Sequence, residues 1–213
     1  GLVAGPLTTS GLDQGTQMFD LVIFDCDGVL IDSEIISARM LVQELALLGV
    51  QIDLAYVARH FLGRSYPTVM AQIRHEFGLD LPPAFEDRYR ERLLDEFSRS
   101  LRVMPGVSGV LDALAVPFCV ATSSSPRRAA MSLRLTGLAD RVGDRLFTAS
   151  QVDRGKPAPD LFLFAAARMG VDPARALVIE DSLTGLRAGQ AAGMTVWHFT
   201  GGSHFTQRDL SHD

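Results

Sequence analysis

Asp25 and Asp27 are separated by a single residue and follow directly on the apolar run Leu21-Val22-Ile23-Phe24. That run reads as a buried parallel strand. Carboxylates at i and i+2 leave an extended segment on the same side, with Cys26 pointing away. Gly28 then lets the backbone turn and come close to a ligand. Two adjacent carboxylates at a strand's carboxyl end repel each other unless a cation compensates. Hard divalent ions such as magnesium prefer oxygen ligands of this kind. The pair also offers one carboxylate as a nucleophile and a second as an acid/base. Taken alone, the same residues also describe an Asp- and Gly-rich turn at a strand end.

Lys156 is the one lysine among twenty basic residues; all the others are arginines. It lies between Gly155 and Pro157 in a stretch that reads as a loop. The two residue types differ there. A compact ammonium on a slim stem enters a tight site beside carboxylates and a phosphate, where a planar guanidinium needs more room.

These residues need elements to hold them. Short strand-like runs at 20–25, 117–122, 145–148 and 176–180 alternate with helical patterns. The alternation predicts an α/β fold, a doubly wound parallel sheet with helices on both faces. In such sheets ligands bind at the carboxyl ends of the strands. Asp25, Thr122 and Asp181 all fall at those ends, and Lys156, in the loop after 145–148, is within reach of the same rim.

Residues 34 to 100 follow another pattern. Ala38, Leu41, Val42, Leu45 and Leu48 recur at helical spacing, while Gly49, Gly63, Gly78 and Pro82-Pro83 are turn signals. The stretch reads as a small helical bundle inserted after the first strand, joined near 30–34 and 99–105. The expected organisation is a core over 18–33 and 101–213, a helical unit over 34–100, and an N-terminal extension over 1–17. Gly185, Gly189 and Gly193 are spaced four apart and are expected on one helix face, packed closely on the sheet. Ser125-Pro126 reads as an N-cap followed by proline at the first helical position. His60, His75, His198, His204 and His212 show no metal-ligand spacing and read as structural or surface residues. The arginine-rich stretch 88–92 reads as a solvated helix face, with the substrate side of the helical unit as the alternative.

Four segments, in order along the chain, resemble the motifs of the haloacid dehalogenase superfamily. They are Asp25-Cys26-Asp27-Gly28-Val29-Leu30, the strand from Val116 ending in Thr122-Ser123, Gly155-Lys156-Pro157, and Ala176 to Ser182 with Glu180-Asp181. Most members of that superfamily transfer phosphoryl groups through an aspartyl-phosphate. The resemblance implies a Rossmann-like core with an inserted helical cap whose hinge motion opens and closes the site. It implies Asp25 as nucleophile and Asp27 as acid/base. Mg²⁺ would be held by Asp25, the Asp27 backbone carbonyl and Asp181, with Glu180 as a further ligand or acting through water. Thr122 and the Ser123 amide would bind phosphate oxygens, and Lys156 would balance their charge.

An aspartate at position 27 favours phosphatase or phosphomutase chemistry over dehalogenation. The chain is most similar to the branch of β-phosphoglucomutase and small sugar-phosphate phosphatases. Two positions depart from the mutases of that branch. Ser37 stands near the place of their cap-helix histidine, and Tyr66 occupies the slot of their phosphate-binding arginine. Arg64, beside Gly63, is the expected contact to the organic part of the substrate or to a carboxylate on it. The expected activity is Mg²⁺-dependent hydrolysis of a small phosphorylated sugar or sugar acid. A β-phosphoglucomutase-like mutase and a catalytically silent binding protein on the same fold are the alternatives.

With 213 residues the chain is long enough to bury a sizeable core. A net charge of −5 argues against nucleic acid and anionic membranes as partners. No apolar run reaches transmembrane length. Residues 1–17 contain no lysine or arginine and do not read as a secretory signal. Cys26 and Cys119 are both expected in core strands, as reduced thiols acting as small hydrophobes in a cytoplasmic setting. A small phosphorylated metabolite is the expected partner, and a monomer the default state.

Overall fold

The structure, a computed structural model, describes residues 19–205. The expected extension over 1–17 and His212 lie outside the described residues.

The chain enters through β1 (Leu21–Phe24), every residue of which is buried. It then makes four helices: α1 (Glu34–Leu47), α2 (Leu54–His60), α3 (Tyr66–Phe77) and α4 (Pro83–Ser100). Their ends follow from local chemistry. The Asp53 carboxylate accepts from Tyr56 N at 2.8 Å and starts α2, while Gly78, at φ 60°, ends α3 in the left-handed conformation. After α5 (Val107–Ala113), strands and helices alternate: β2 (Phe118–Thr122), α6 (Pro126–Leu135), α7 (Ala139–Val142), β3 (Leu146–Thr148), α8 (Asp160–Arg168), β4 (Ala176–Glu180), α9 (Leu183–Ala191) and β5 (Thr195–His198). Ser125 caps α6, as its pairing with Pro126 predicts, and Ser182 caps α9.

The sheet is parallel throughout, in the order β3-β2-β1-β4-β5. From β1 the chain winds outward through β2 and β3, then crosses to β4 on the other side. The reversal falls between β1 and β4, where the sheet opens a crevice at the strands' carboxyl ends. Side chains of β1 alternate between two cores. Leu21 and Ile23 pack with Cys119, Phe162, Ala165 and Val178 on the face covered by α8 and α9. Val22 and Phe24 belong to a second core that runs on through Leu41, Leu45, Met70, Ile73 and Phe97 of the inserted helices. Each such side chain, fully buried, contributes roughly 1.5–3 kcal/mol.

The chain leaves the sheet and returns to it side by side. Asp32 N donates to Arg102 O at 2.9 Å and Met104 N to Leu30 O at 2.8 Å.

Three expectations need correction. β5 was not among the predicted strands: it is four residues long, half-buried, and paired to β4 alone, so its extended state comes from that pairing rather than from a strong local pattern. Cys26 lies beyond the end of β1 rather than in it, though it is buried and free like Cys119. Gly193 lies past α9 at φ 75° and ends the helix, leaving only Gly185 and Gly189 on the sheet-facing side. A Cβ on Gly185 would run into the Glu180 carboxylate, and one on Gly189 into Val196.

Candidate active site

Asp25 is the first residue after the central strand, and Lys156 reaches it from the loop after β3. Lys156 Nζ donates to Asp25 Oδ1 at 3.0 Å, to Ala121 O at 3.0 Å and to Glu180 Oε2 at 2.6 Å. The ammonium is buried, with the Phe162 ring on one side. Burial works against its charge, but Asp25 and Glu180 outweigh that and hold its pKa above the ordinary lysine value. It is therefore a permanent cation between two carboxylates from neighbouring strands.

Asp181 completes an acidic cluster. One carboxylate oxygen each from Asp25, Glu180 and Asp181 lie within 4.8 Å of one another, all in buried residues. Burial, and after it repulsion by Glu180, pushes Asp25 well above the ordinary carboxylate range, with Lys156 opposing. Asp181 is pushed up by burial, then by Asp25 and Glu180. Three buried carboxyl groups crowd around one ammonium, and ionising all of them calls for further positive charge. An oxygen-only donor set under mutual repulsion is the chemistry of a site for a hard divalent cation. The fit is good for Asp25 and Asp181. Glu180 is turned toward Lys156 and also accepts from Asp181 N at 3.2 Å. Gly28, at φ 83°, lets the chain pass close to this cluster, and a Cβ there would collide with Asp181 Oδ2.

Asp27 is buried beside the cluster but turns its carboxylate elsewhere. Ser33 Oγ donates to Oδ1 at 2.6 Å and Ser124 Oγ to Oδ2 at 2.6 Å. Arg128 Nη2 donates to Oδ1 at 3.1 Å, and Thr122 Oγ1 to Oδ2 at 3.4 Å. Burial acts to raise its pKa, but Arg128 and the two serine hydroxyls outweigh it and hold the group below its ordinary value. Two neighbouring carboxyls are thus driven in opposite directions, Asp25 upward by burial among acids and Asp27 downward by Arg128 and its hydroxyl donors.

Asp25 and Asp27 open onto a cavity of about 740 Å³ between the strand ends and the inserted helices, a size suited to a small metabolite. Thr122, Ser123 and Arg64 line the same cavity. The turn at Gly63 closes down on the core. Ser123 Oγ donates to Gly63 O at 3.1 Å and Thr184 Oγ1 to Leu62 O at 3.4 Å, and a Cβ on Gly63 would strike the Ser182 side chain. Arg64, next to it, is exposed at the cavity and has no carboxylate partner among the described residues. Tyr66 does not reach out as a charged residue would. Its ring stacks on Tyr89 at 5.5 Å, with the Arg90 guanidinium 4.4 Å above it.

Residues 19–193 match the haloacid dehalogenase-like hydrolase family. The chain belongs to that family. The 6-phosphogluconate phosphatase of Escherichia coli is 30% identical to this hydrolase over 186 residues, which cover 87% of the chain and 84% of that protein. A haloacid dehalogenase-like protein of Agrobacterium tumefaciens, solved as a crystal structure, is 38% identical with a TM-score of 0.75, covering 87% of this chain and 85% of that one. A family hydrolase of Deinococcus radiodurans, crystallised with bound phosphate and sodium, is 33% identical with a TM-score of 0.67, covering 92% and 96%.

Several residues of this hydrolase's site are not singled out by the sequence reading. Arg128 is one of nineteen arginines and sits in the first turn of α6, just past the rim end of β2, from where it reaches Asp27. Ser124 is the third residue of the Thr122-Ser123-Ser124 run, so the motif pointed near it. His204 and His198 belong with this site instead of being scattered. His204 Nε2 lies 3.1 Å from Asp181 Oδ2, and His198 Nε2 is 3.1 Å from Asp181 O. Arg90 lines the cavity, the alternative reading of 88–92, while its neighbour Arg88 is exposed as on a solvated face. Glu34, at the start of α1, lines the cavity with its pKa raised to about 7 by burial and by the nearby Asp27.

Proposed function

We propose that this hydrolase removes the phosphoryl group from a small phosphorylated sugar or sugar acid through an aspartyl-phosphate on Asp25. The class, phosphoric monoester hydrolysis, follows from the family together with the phosphatase name of its relative. The observation that carries the mechanism is the opening of Asp25 and Asp27 onto one cavity, with Lys156 behind Asp25.

In this reading an Asp25 oxygen attacks phosphorus, and the bond from phosphorus to the ester oxygen breaks. Asp27, whose pKa lies low before substrate enters, takes up a proton as the charge of the anionic ester raises it, and gives that proton to the departing oxygen. It then takes a proton from water as that water attacks the aspartyl-phosphate, which releases inorganic phosphate and restores Asp25. Such acid/base assistance contributes about 10²–10⁴-fold. Thr122 and the Ser123 amide hold the non-bridging oxygens, and Lys156 offsets charge that accumulates on Asp25 and the phosphate. Asp25, Asp181 and the Asp27 carbonyl would hold Mg²⁺, with Glu180 as an outer partner. When bound, the ion supplies charge neutralisation between an anionic nucleophile and an anionic ester. Helices α1 to α4 act as the cap that excludes water from the reacting group. Arg64 reads the far end of the substrate, and a carboxylate there suits its unpaired guanidinium.

The mutase alternative has less support. Ser37 is engaged by Arg128 at 3.1 Å, and Tyr66 is stacked between two neighbours, so neither position supplies a histidine or a second phosphate anchor. The test is phosphate release from a panel including 6-phosphogluconate and β-glucose 1-phosphate, with Mg²⁺ and with chelator. Metal-dependent release that disappears in Asp25→Asn is expected. Conversion of β-glucose 1-phosphate to the 6-phosphate without release would replace the hydrolase reading by the mutase one.

A further inference from the structure

We propose that Arg128 is a positioning residue that aims the Asp27 carboxyl and ties its orientation to the inserted helices. The proposal rests on the phosphatase reading above and adds a residue to it. One nitrogen of Arg128, Nη2, donates to Asp27 Oδ1 at 3.1 Å and to Ser37 Oγ of α1 at 3.1 Å. Its guanidinium carbon lies 5.2 Å from the ring centre of Phe97 in α4. A side chain rooted in a helix beside the sheet therefore touches the acid/base residue and two helices of the inserted segment.

The other donors to Asp27 are different in kind. Ser33, Ser124 and Thr122 offer hydroxyls, each of which can turn about one bond. The planar guanidinium cannot turn without leaving its place over Phe97, so its donors keep a fixed angle. Among the described residues it is also the one cation that pairs with Asp27. Proton transfer needs Asp27 aimed within hydrogen-bond reach of the leaving oxygen. Because Arg128 holds Asp27 and α1 through one nitrogen, a shift of α1 and a turn of the carboxyl are mechanically linked.

The experiment compares kcat/KM of the wild type and Arg128→Met on two phosphate monoesters. In p-nitrophenyl phosphate the leaving oxygen departs without a proton; in glycerol 3-phosphate it must be protonated. Methionine keeps bulk over Phe97 and removes the donors. The alkyl ester is expected to fall about 10²-fold. The nitrophenyl ester is expected to change by less than about threefold. Arg128→Lys should recover part of the lost activity, and Ser37→Ala should show the same selective loss in smaller degree. Equal losses on both esters, with or without a fall in melting temperature, would assign Arg128 to packing or phosphate binding and overturn the proposal. So would an unchanged ratio. If the wild type hydrolyses neither ester nor any member of the panel, the phosphatase reading fails; turnover with parallel losses sinks the Arg128 role alone.

Discussion

Lys156 and Asp25 lie 131 positions apart in the chain and meet at 3.0 Å, with the same ammonium 2.6 Å from Glu180. The contact joins the loop after β3 to the ends of β1 and β4, across the crevice where the sheet reverses direction. One cation thus holds two buried carboxylates together at the point where chemistry is expected.

Removing that cation has two separable consequences. Lys156→Met should destabilise the metal-free protein by about 3–5 kcal/mol, since it leaves buried carboxylates uncompensated. Phosphate release should fall by about 10²-fold or more, as expected for loss of a charge that stabilises the transition state. Lys156→Arg should not restore it, because the guanidinium is too broad for a pocket bounded by Ala121 O and the Phe162 ring. Thermal unfolding in chelator and a phosphate assay measure the two effects; full activity in the arginine variant would contradict the argument.

The acidic cluster predicts an inverted pH dependence for the metal-free protein. Asp25 and Asp181 are raised well above the carboxylate range, and Glu34 is raised to about 7. A carboxyl whose pKa rises on folding keeps a proton that the unfolded chain has already lost, so raising the pH across that window favours unfolding. In chelator the melting temperature should fall between pH 5 and 7 by more than surface titration explains. Glu34→Gln should flatten part of that fall, and Mg²⁺ should oppose it by binding the ionised cluster. A melting temperature that rises over the same interval in chelator would refute this account of the site.

Gly63 has to be glycine for the cavity to close as it does. Its φ is 79°, and a Cβ would strike Ser182. Gly63→Ala should lower kcat/KM by about tenfold or more, a penalty near 1.4 kcal/mol. The loss should be larger for a bulky sugar phosphate than for acetyl phosphate, whose small body needs less help from the turn. Steady-state kinetics on the two substrates provides the check, and an equal effect on both would point to general destabilisation.

Arg64 should discriminate between substrates by charge. Arg64→Ala is expected to cost about tenfold in kcat/KM on 6-phosphogluconate and little on glucose 6-phosphate, which has no carboxylate for the guanidinium to meet. Unchanged kinetics on both would remove Arg64 from the substrate site.

Much of the fold can be read from local pattern. Continuous apolar runs gave β1, β2 and β4 to within a residue or so, and helical periodicity with glycine and proline punctuation gave the helices of 34–100. β5 escaped because its four residues hold an extended conformation only through Val178 and its neighbours in β4. The central rim was legible for the same reason as the strands: Asp25, Thr122 and Asp181 sit where apolar runs stop, and a parallel sheet sends all such ends to one side.

Residue type and order along the chain were enough to name the carboxylate pair, the lone lysine and the acidic Glu180-Asp181 step, because strand ends converge whatever the helices do. Which way each of those side chains faces was decided by packing. Asp27 turns from the cluster toward Ser33, Ser124 and Arg128, Glu180 turns to Lys156, and His198 and His204 gather at Asp181. Those partners come from the residue before α1, the loop after β2, α6, the loop after β3, and β5 with the chain that follows it, and no spacing in the sequence encodes their meeting. Charge and hydrogen bonding in a buried site depend on distances of a few ångströms between segments remote in sequence, and only the packed fold sets those distances.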